Sequence, residues 1–162
     1  MWIRGTNGVG KTTFIKTITR KISARKGNFT YHLATKPAVL NQELDFENPS
    51  MSAMQYYNEF FPRSNYKEQR TELAKVGIKG ELATKPIKNM SGGEQVRTKL
   101  SVLCNTPSNL LILDEPTNHL DIKAKSALKE ALIKYEGAII LVCHEQDFAE
   151  DICNIVFDAK TK

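Results

Sequence analysis

The chain has 162 residues, a single-domain length able to bury about 70% of its unfolded surface around one core. Its composition, 41% hydrophobic and 25% charged, is ordinary for a soluble globular protein, and the net charge of +5 permits an anionic partner such as ATP or RNA without demanding one. No apolar run approaches the roughly 20 residues of a membrane span and no signal-peptide pattern opens the chain, which excludes a spanning protein and points to the cytoplasm.

Met1 to Arg4 (MWIR) supply only the tail of a strand, so the chain reads as starting inside a domain. Gly5-Thr-Asn-Gly-Val-Gly-Lys-Thr12 fits G-x-x-x-x-G-K-[ST], and Phe14, Ile15, Ile18 and Ile22 follow at helical spacing until Gly27 offers a C-terminal cap. Glycines 5, 8 and 10 let backbone N–H groups turn toward phosphate oxygens, and a helix N-terminus adds partial positive charge. Lys11 would reach the β- and γ-phosphates and Thr12 would place its hydroxyl on Mg²⁺. A glycine-rich turn with a chance lysine would leave the amphipathic helix unexplained. Phe29 to Leu33 and Pro37 to Gln42 read as short strands. Gln42 then ends a strand, where its amide touches metal or water, or is simply solvated.

From Met51 to Gly80 the pattern is helical, with Tyr56, Phe60 and Phe61 as one apolar group and Leu73, Val76 and Ile78 as another. This predicts a small helical subdomain over residues 51–90, inserted in a core of residues 1–50 and 91–162. The aromatic group reads as packing, because no basic groove residues are interleaved with it. Ser91-Gly-Gly-Glu-Gln95 opens a helix carrying Val96, Leu100 and Leu103. Ser91 and Glu94 make a capping box, whereas the glycine pair weakens a first turn and exposes N–H groups to an anion; both readings stand.

Leu110 to Asp121 (LLILDEPTNHLD) is an apolar run entering two acids and a polar turn. Such a run fits a strand buried on both faces of a parallel sheet, with Asp114 and Glu115 at its carboxyl end, where α/β sheets bind ligands. Ala124, Ala127, Leu128, Ala131, Leu132 and Tyr135 then form a helical face up to Gly137, and Ala138 to Cys143 reads as a second buried strand. A right-handed crossover brings His144 to the same edge as Glu115. Asn154 to Asp158 would close the sheet. Cys104, Cys143 and Cys153 lack metal-ligand spacing and read as reduced, buried thiols.

In this order the P-loop, Gln42, SGGEQ, LLILDE with NHLD, and His144 resemble the ATPase domain of the ATP-binding cassette (ABC) superfamily over nearly the whole chain. The resemblance implies an α/β P-loop (RecA-like) fold: a mostly parallel sheet with helices on both faces and a helical subdomain, whereas the antiparallel β-subdomain with which the family begins would precede Met1 and is expected to be missing here. It implies that Gly5, Asn7, Gly8, Gly10, Lys11, Thr12 and Thr13 bind ATP, that Gln42 is the Q-loop residue, and that Ser91, Gly92, Gly93, Glu94 and Gln95 are the signature. Asp114, with Thr12 and Gln42, would hold Mg²⁺; Glu115 would be the general base, Asn118 to Asp121 the D-loop, with Asp121 near nucleotide, and His144 the switch histidine. NHLD and SGGEQ look like subfamily F, whose two-cassette proteins act on ribosomes in translation or antibiotic resistance. Met51 to Met90 are too few to hold the arm of many first cassettes, which implies a second or armless cassette. Two departures stand out: the family's adenine-stacking aromatic would precede Met1, and Glu145-Gln146-Asp147-Phe148 stand where the subfamily often has Asp-Arg. The implied partners are ATP, a second cassette, and the ribosome or its tRNA through a longer protein. The alternative is the nucleotide-binding subunit of a membrane transporter, against which NHLD argues.

Overall fold

The structure, a computed structural model, describes residues 1–40, 46–118 and 120–160. The expected strand end at Gln42 lies outside them. Two compact units emerge: Met1–Gln42 with Pro107–Thr117 and Ala131–Lys162, and Glu43–Thr106 with Asn118–Glu130.

The first unit is built on five parallel strands: β1 (Trp2–Arg4), β2 (Pro37–Leu40), β3 (Leu110–Asp114), β4 (Ala138–Val142) and β5 (Val156–Asp158), in the order β2-β3-β4-β1-β5. All five residues of β3 are buried, which is why LLILD carries no polar alternation before its acid. Its register runs Leu110 to Asp114 against Ala138 to Val142. Because β1, β3 and β4 are parallel and β4 lies between the other two, the loops leaving all three emerge at one sheet edge.

Helix α1 (Lys11–Ile18) follows β1 and buries Ile15 and Ile18 against Ile3, Leu110, Ile112 and Val142. It is shorter than the apolar spacing predicts. Thr17 and Thr19 turn their hydroxyls back onto the carbonyls of Thr13 and Ile15, both at 2.8 Å, and Arg20 takes a left-handed φ of 60°. This β-branched, back-bonding run ends the helix before Ile22 can join its face, and Ile22 and Phe14 are left exposed. Phe29 to Leu33 form no strand. Phe29 and Tyr31 instead meet edge to face and pack on the core, the Tyr31 hydroxyl donates to the Ile18 carbonyl at 2.6 Å, and Leu33 lies fully in solvent. Side-chain anchoring replaces the strand pairing expected there.

The second unit holds α2 (Ala53–Phe60), α3 (Tyr66–Lys75) and α4 (Gly92–Asn105). Its core joins Ala53, Met54, Leu73, Ile78, Ala83, Ile87 and Met90. Leu73 and Ile78 are buried as the pattern predicts, with Val76 packed beside them. The first aromatic group divides: Tyr56 meets Phe60 and Phe46 edge to face, whereas Phe61 stacks on the buried Tyr57, a residue the sequence pattern passed over. Helix α5 (Ile122–Ile133) runs from the second unit into the first, and the five-residue helix α6 (Gln146–Glu150) follows β4. Cys143 and Cys153 are buried, but Cys104, near the end of α4, is exposed.

Candidate nucleotide-binding site

The loop from Gly5 to Gly10 joins β1 to α1, and its glycines answer two different demands. At Gly5 a Cβ would stand 2.7 Å from the backbone oxygen of Ala159, so the approach of neighbouring chain excludes a side chain. At Gly10, the N-cap of α1, φ is +102°, a conformation L side chains rarely adopt. No side chain caps α1. The N–H groups of its first turn, at Lys11, Thr12 and Thr13, have no intrahelical acceptor and are left for an anion. Lys11 is buried and folds back on the same loop, its Nζ donating to the carbonyls of Gly5 at 2.8 Å and Thr6 at 3.1 Å. An ammonium held by two neutral carbonyls can exchange them for phosphate oxygens. Asn7 and Gly8 form the tip of this turn.

Asp114, 2% exposed, ends β3, and Glu115, 8% exposed, follows it. Glu115 is one of two described non-glycine residues with positive φ, at 51°. Its N–H donates to the Val142 carbonyl at 2.9 Å, tying the ends of β3 and β4 together. Oε1 of Glu115 lies 3.1 Å from Nε2 of the half-exposed His144, close but off the hydrogen-bond angle, so this buried oxygen has no hydrogen-bond partner. Burial raises the Glu115 carboxyl above its usual value; His144 and the Lys11 charge pull it down and Asp114 pushes it further up. The same sheet edge therefore gathers Lys11, Asp114, Glu115 and His144 within one electrostatic neighbourhood.

Two positioning residues escaped the sequence reading. The Trp2 indole N–H donates to the Cys143 carbonyl at 3.0 Å, holding the peptide that precedes His144. The Cys143 thiol, pushed up by burial, accepts from the Glu145 N–H at 3.3 Å and lies 3.7 Å from the Thr117 hydroxyl. The β4 exit is thus pinned on both sides of His144. A strand tryptophan and a buried cysteine look like core residues in sequence, and no spacing rule would have marked them.

In the second unit, Ser91 and Glu94 form the capping box: the Ser91 hydroxyl accepts from the Glu94 N–H at 3.3 Å and Glu94 accepts from the Ser91 N–H at 2.8 Å. Gln95 donates to the carbonyls of Ile87 and Met90 at 3.3 and 3.2 Å. Gly92 and Gly93 are the first two residues of α4. Asp121 accepts from the Ala124 N–H at 2.8 Å and from Arg97 at 3.2 Å, which hold its carboxyl below the usual range, the Ala124 contact foremost. Arg97 links the helix opened by SGGEQ to the residues after NHL, a link the sequence reading missed.

The orphaned oxygen of Glu115, the uncapped first turn of α1, which includes Thr12, and the buried carboxylate of Asp114 are a set of oxygen and N–H groups that fits a nucleotide phosphate with Mg²⁺, which keeps several waters and uses few protein ligands. Among the described residues no cluster of three His, Cys, Asp or Glu could hold a metal by itself.

Residues 1–118 match the family described as ABC transporter. The chain is 36% identical over 157 residues to an uncharacterized ABC transporter ATP-binding protein, YfmM, of Bacillus subtilis (strain 168), covering 97% of this chain and 30% of that protein. It is 35% identical over 153 residues to mouse (Mus musculus) ATP-binding cassette sub-family F member 3, covering 92% of this chain and 21% of that protein. A solved structure described as a dimeric post-hydrolysis state of the ATP-binding cassette MJ0796 bound to ADP and Pi superimposes with a TM-score of 0.79 at 18% identity, covering 97% of this chain and 79% of that one. The chain thus spans under a third of the length of these curated relatives. It belongs to the ABC transporter family of ATP-binding cassette ATPase domains, with sub-family F proteins among its relatives.

Proposed function

We propose that the chain is one cassette of a cytoplasmic, Mg²⁺-dependent ATP hydrolase of the sub-family F type, acting on the ribosome in translation or antibiotic resistance. The observation that carries the hydrolytic part is Glu115, a buried carboxylate of raised pKa, orphaned at Oε1 and 3.1 Å from His144, on the edge that also presents Lys11. When bound, Mg²⁺ would supply positive charge against the phosphates. The N–H groups of Gly8, Gly10, Lys11, Thr12 and Thr13 hold the phosphates, and Lys11 leaves the Gly5 and Thr6 carbonyls for the γ-phosphate. Asp114, the Thr12 hydroxyl and Gln42 would hold the metal. Glu115 takes a proton from the attacking water, a contribution of about 10²- to 10⁴-fold, and His144 orients it and senses the γ-phosphate.

The start of α4, with Ser91, Gly92, Gly93, Glu94 and Gln95, is assigned to the γ-phosphate of a second cassette, with Asp121 beside the nucleotide. That cassette comes from the same longer polypeptide or from another copy. The dimeric state named for the MJ0796 structure supports this reading; the relatives support the sub-family F type, and the ribosome rests on the resemblance to that sub-family. The test is ribosome pelleting with a Glu115→Gln variant and ATP: enrichment over wild type is expected, and equal recovery with and without ATP would count against the ribosome while leaving the ATPase reading in place.

A further inference from the structure

Helix α3 sorts its charges onto two sides. Glu68 and Glu72 line one groove, of about 580 Å³, with Tyr57, Phe61 and Arg63, which precedes the helix. Lys67, Arg70, Lys75 and Lys79 line another, of about 560 Å³, with Tyr66 and Thr71 and no acidic side chain in its wall. The aromatics of α2 lacked interleaved cations, but Tyr66 has them. It is 63% exposed, too open for a packing residue, and the Arg70 guanidinium carbon lies 5.2 Å from its ring centroid. Arg70 also donates to the Gly80 carbonyl at 3.3 Å, so its guanidinium is ordered before any ligand arrives. Lys75 shares its charge with Glu72 at 2.7 Å. Lys67 and Lys79 are exposed and form no ion pair among the described residues.

Lys67, Thr71 and Lys75 stand four residues apart, a row of about 12 Å along the helix. A cationic groove that tracks a backbone, beside an exposed ring on which a base can stack, is how single-stranded nucleic acids are held without sequence preference. A merely solvated helix face would not fix an arginine on an exposed ring.

We infer that this face of α3 binds single-stranded RNA, with Lys67, Arg70, Lys75 and Lys79 on successive phosphates and Tyr66 under one base. The choice of RNA over DNA rests on the ribosome reading above; the groove itself does not, and none of its residues belongs to the nucleotide machinery.

The test is fluorescence anisotropy of the full chain with a labelled 20-nucleotide oligouridylate between 50 and 200 mM KCl, with oligodeoxythymidylate and polyglutamate of equal length as the other arms. Four phosphate contacts give a slope of log affinity on log salt of about −3. Lys67→Glu with Lys79→Glu should bring the slope to about −1.4 or less and weaken binding by about tenfold or more at 50 mM. Tyr66→Ala should weaken binding by about 5- to 150-fold with the slope kept. ATP turnover of both variants should match wild type, and circular dichroism verifies that both are folded. No binding by the wild-type chain, variants that bind like wild type, or polyglutamate bound as well as RNA would overturn the inference, the last in favour of an acidic protein. Tighter binding to the DNA strand would overturn the choice of RNA. None of these results touches the ATPase reading, which fails only if turnover fails.

Discussion

Glu115 carries more of the account than any other residue. A carboxylate whose pKa is raised by burial is protonated at a pH where an exposed glutamate, near 4.3, is already ionised. In the proposed role of general base it would work only when deprotonated, so the acid limb of the turnover profile should lie above the ordinary carboxylate range. The stability effect has the opposite sense. The folded state takes up this proton more readily than the unfolded chain, so the group contributes stability below its unfolded value, and that contribution is lost as pH rises through the raised folded value. Glu115→Gln should remove this pH dependence from urea unfolding midpoints and abolish turnover while ATP still binds. Trp2 permits a separate test. Trp2→Phe keeps the ring packing but leaves the buried Cys143 carbonyl without its donor, which should lower stability by about 1–3 kcal/mol in denaturant unfolding. It should also lower turnover by loosening the peptide before His144, without changing ATP affinity.

Among the elements, α4 shows why a motif can be legible and still ambiguous. Ser91 caps the helix in the structure as S-x-x-E predicts, and that satisfied cap is equally available to a signature segment. Ser91→Ala should cost about 1 kcal/mol of stability, visible in thermal unfolding without nucleotide. A loss of turnover much larger than that change in folded fraction would reveal the second role. Of the strands β3 and β4 only β3 is buried throughout; in β4 Ala138 is exposed, Ile139 and Ile140 are half-buried and only Leu141 and Val142 are buried, so the expected fully buried second strand is corrected to its carboxyl end. Both were legible as strands because LLILD and AIILV are continuous apolar runs. The end of α1 was not, because the threonine back-bonding at Thr17 and Thr19 and the left-handed Arg20 override an apolar spacing that continues to Ile22. Phe29 to Leu33 was misread for a related reason. A β-prone composition says nothing about whether a neighbouring strand is present to pair with, and here ring packing and the Tyr31 hydroxyl hold the segment instead. The exposure of Cys104 follows from helix phase rather than from the apolar residues next to it in sequence.

At the scale of the whole molecule, the parallel order β2-β3-β4-β1-β5 brings residues 5–12, 114–115 and 144 to one edge although more than 130 residues separate the first from the last. Sequence order could name these residues because each directly follows a strand. The supports that hold them, Trp2 on the Cys143 carbonyl and Arg97 on Asp121, arise only from tertiary contact and leave no spacing behind. If Glu115 activates water on a nucleotide held by the P-loop, single-turnover hydrolysis of γ-labelled ATP with Mg²⁺, at chain concentrations high enough for two cassettes to meet, should separate wild type from Glu115→Gln. The variant should be slower by about 10²- to 10⁴-fold with the nucleotide still bound; equal rates in the two proteins would rule out that role for Glu115.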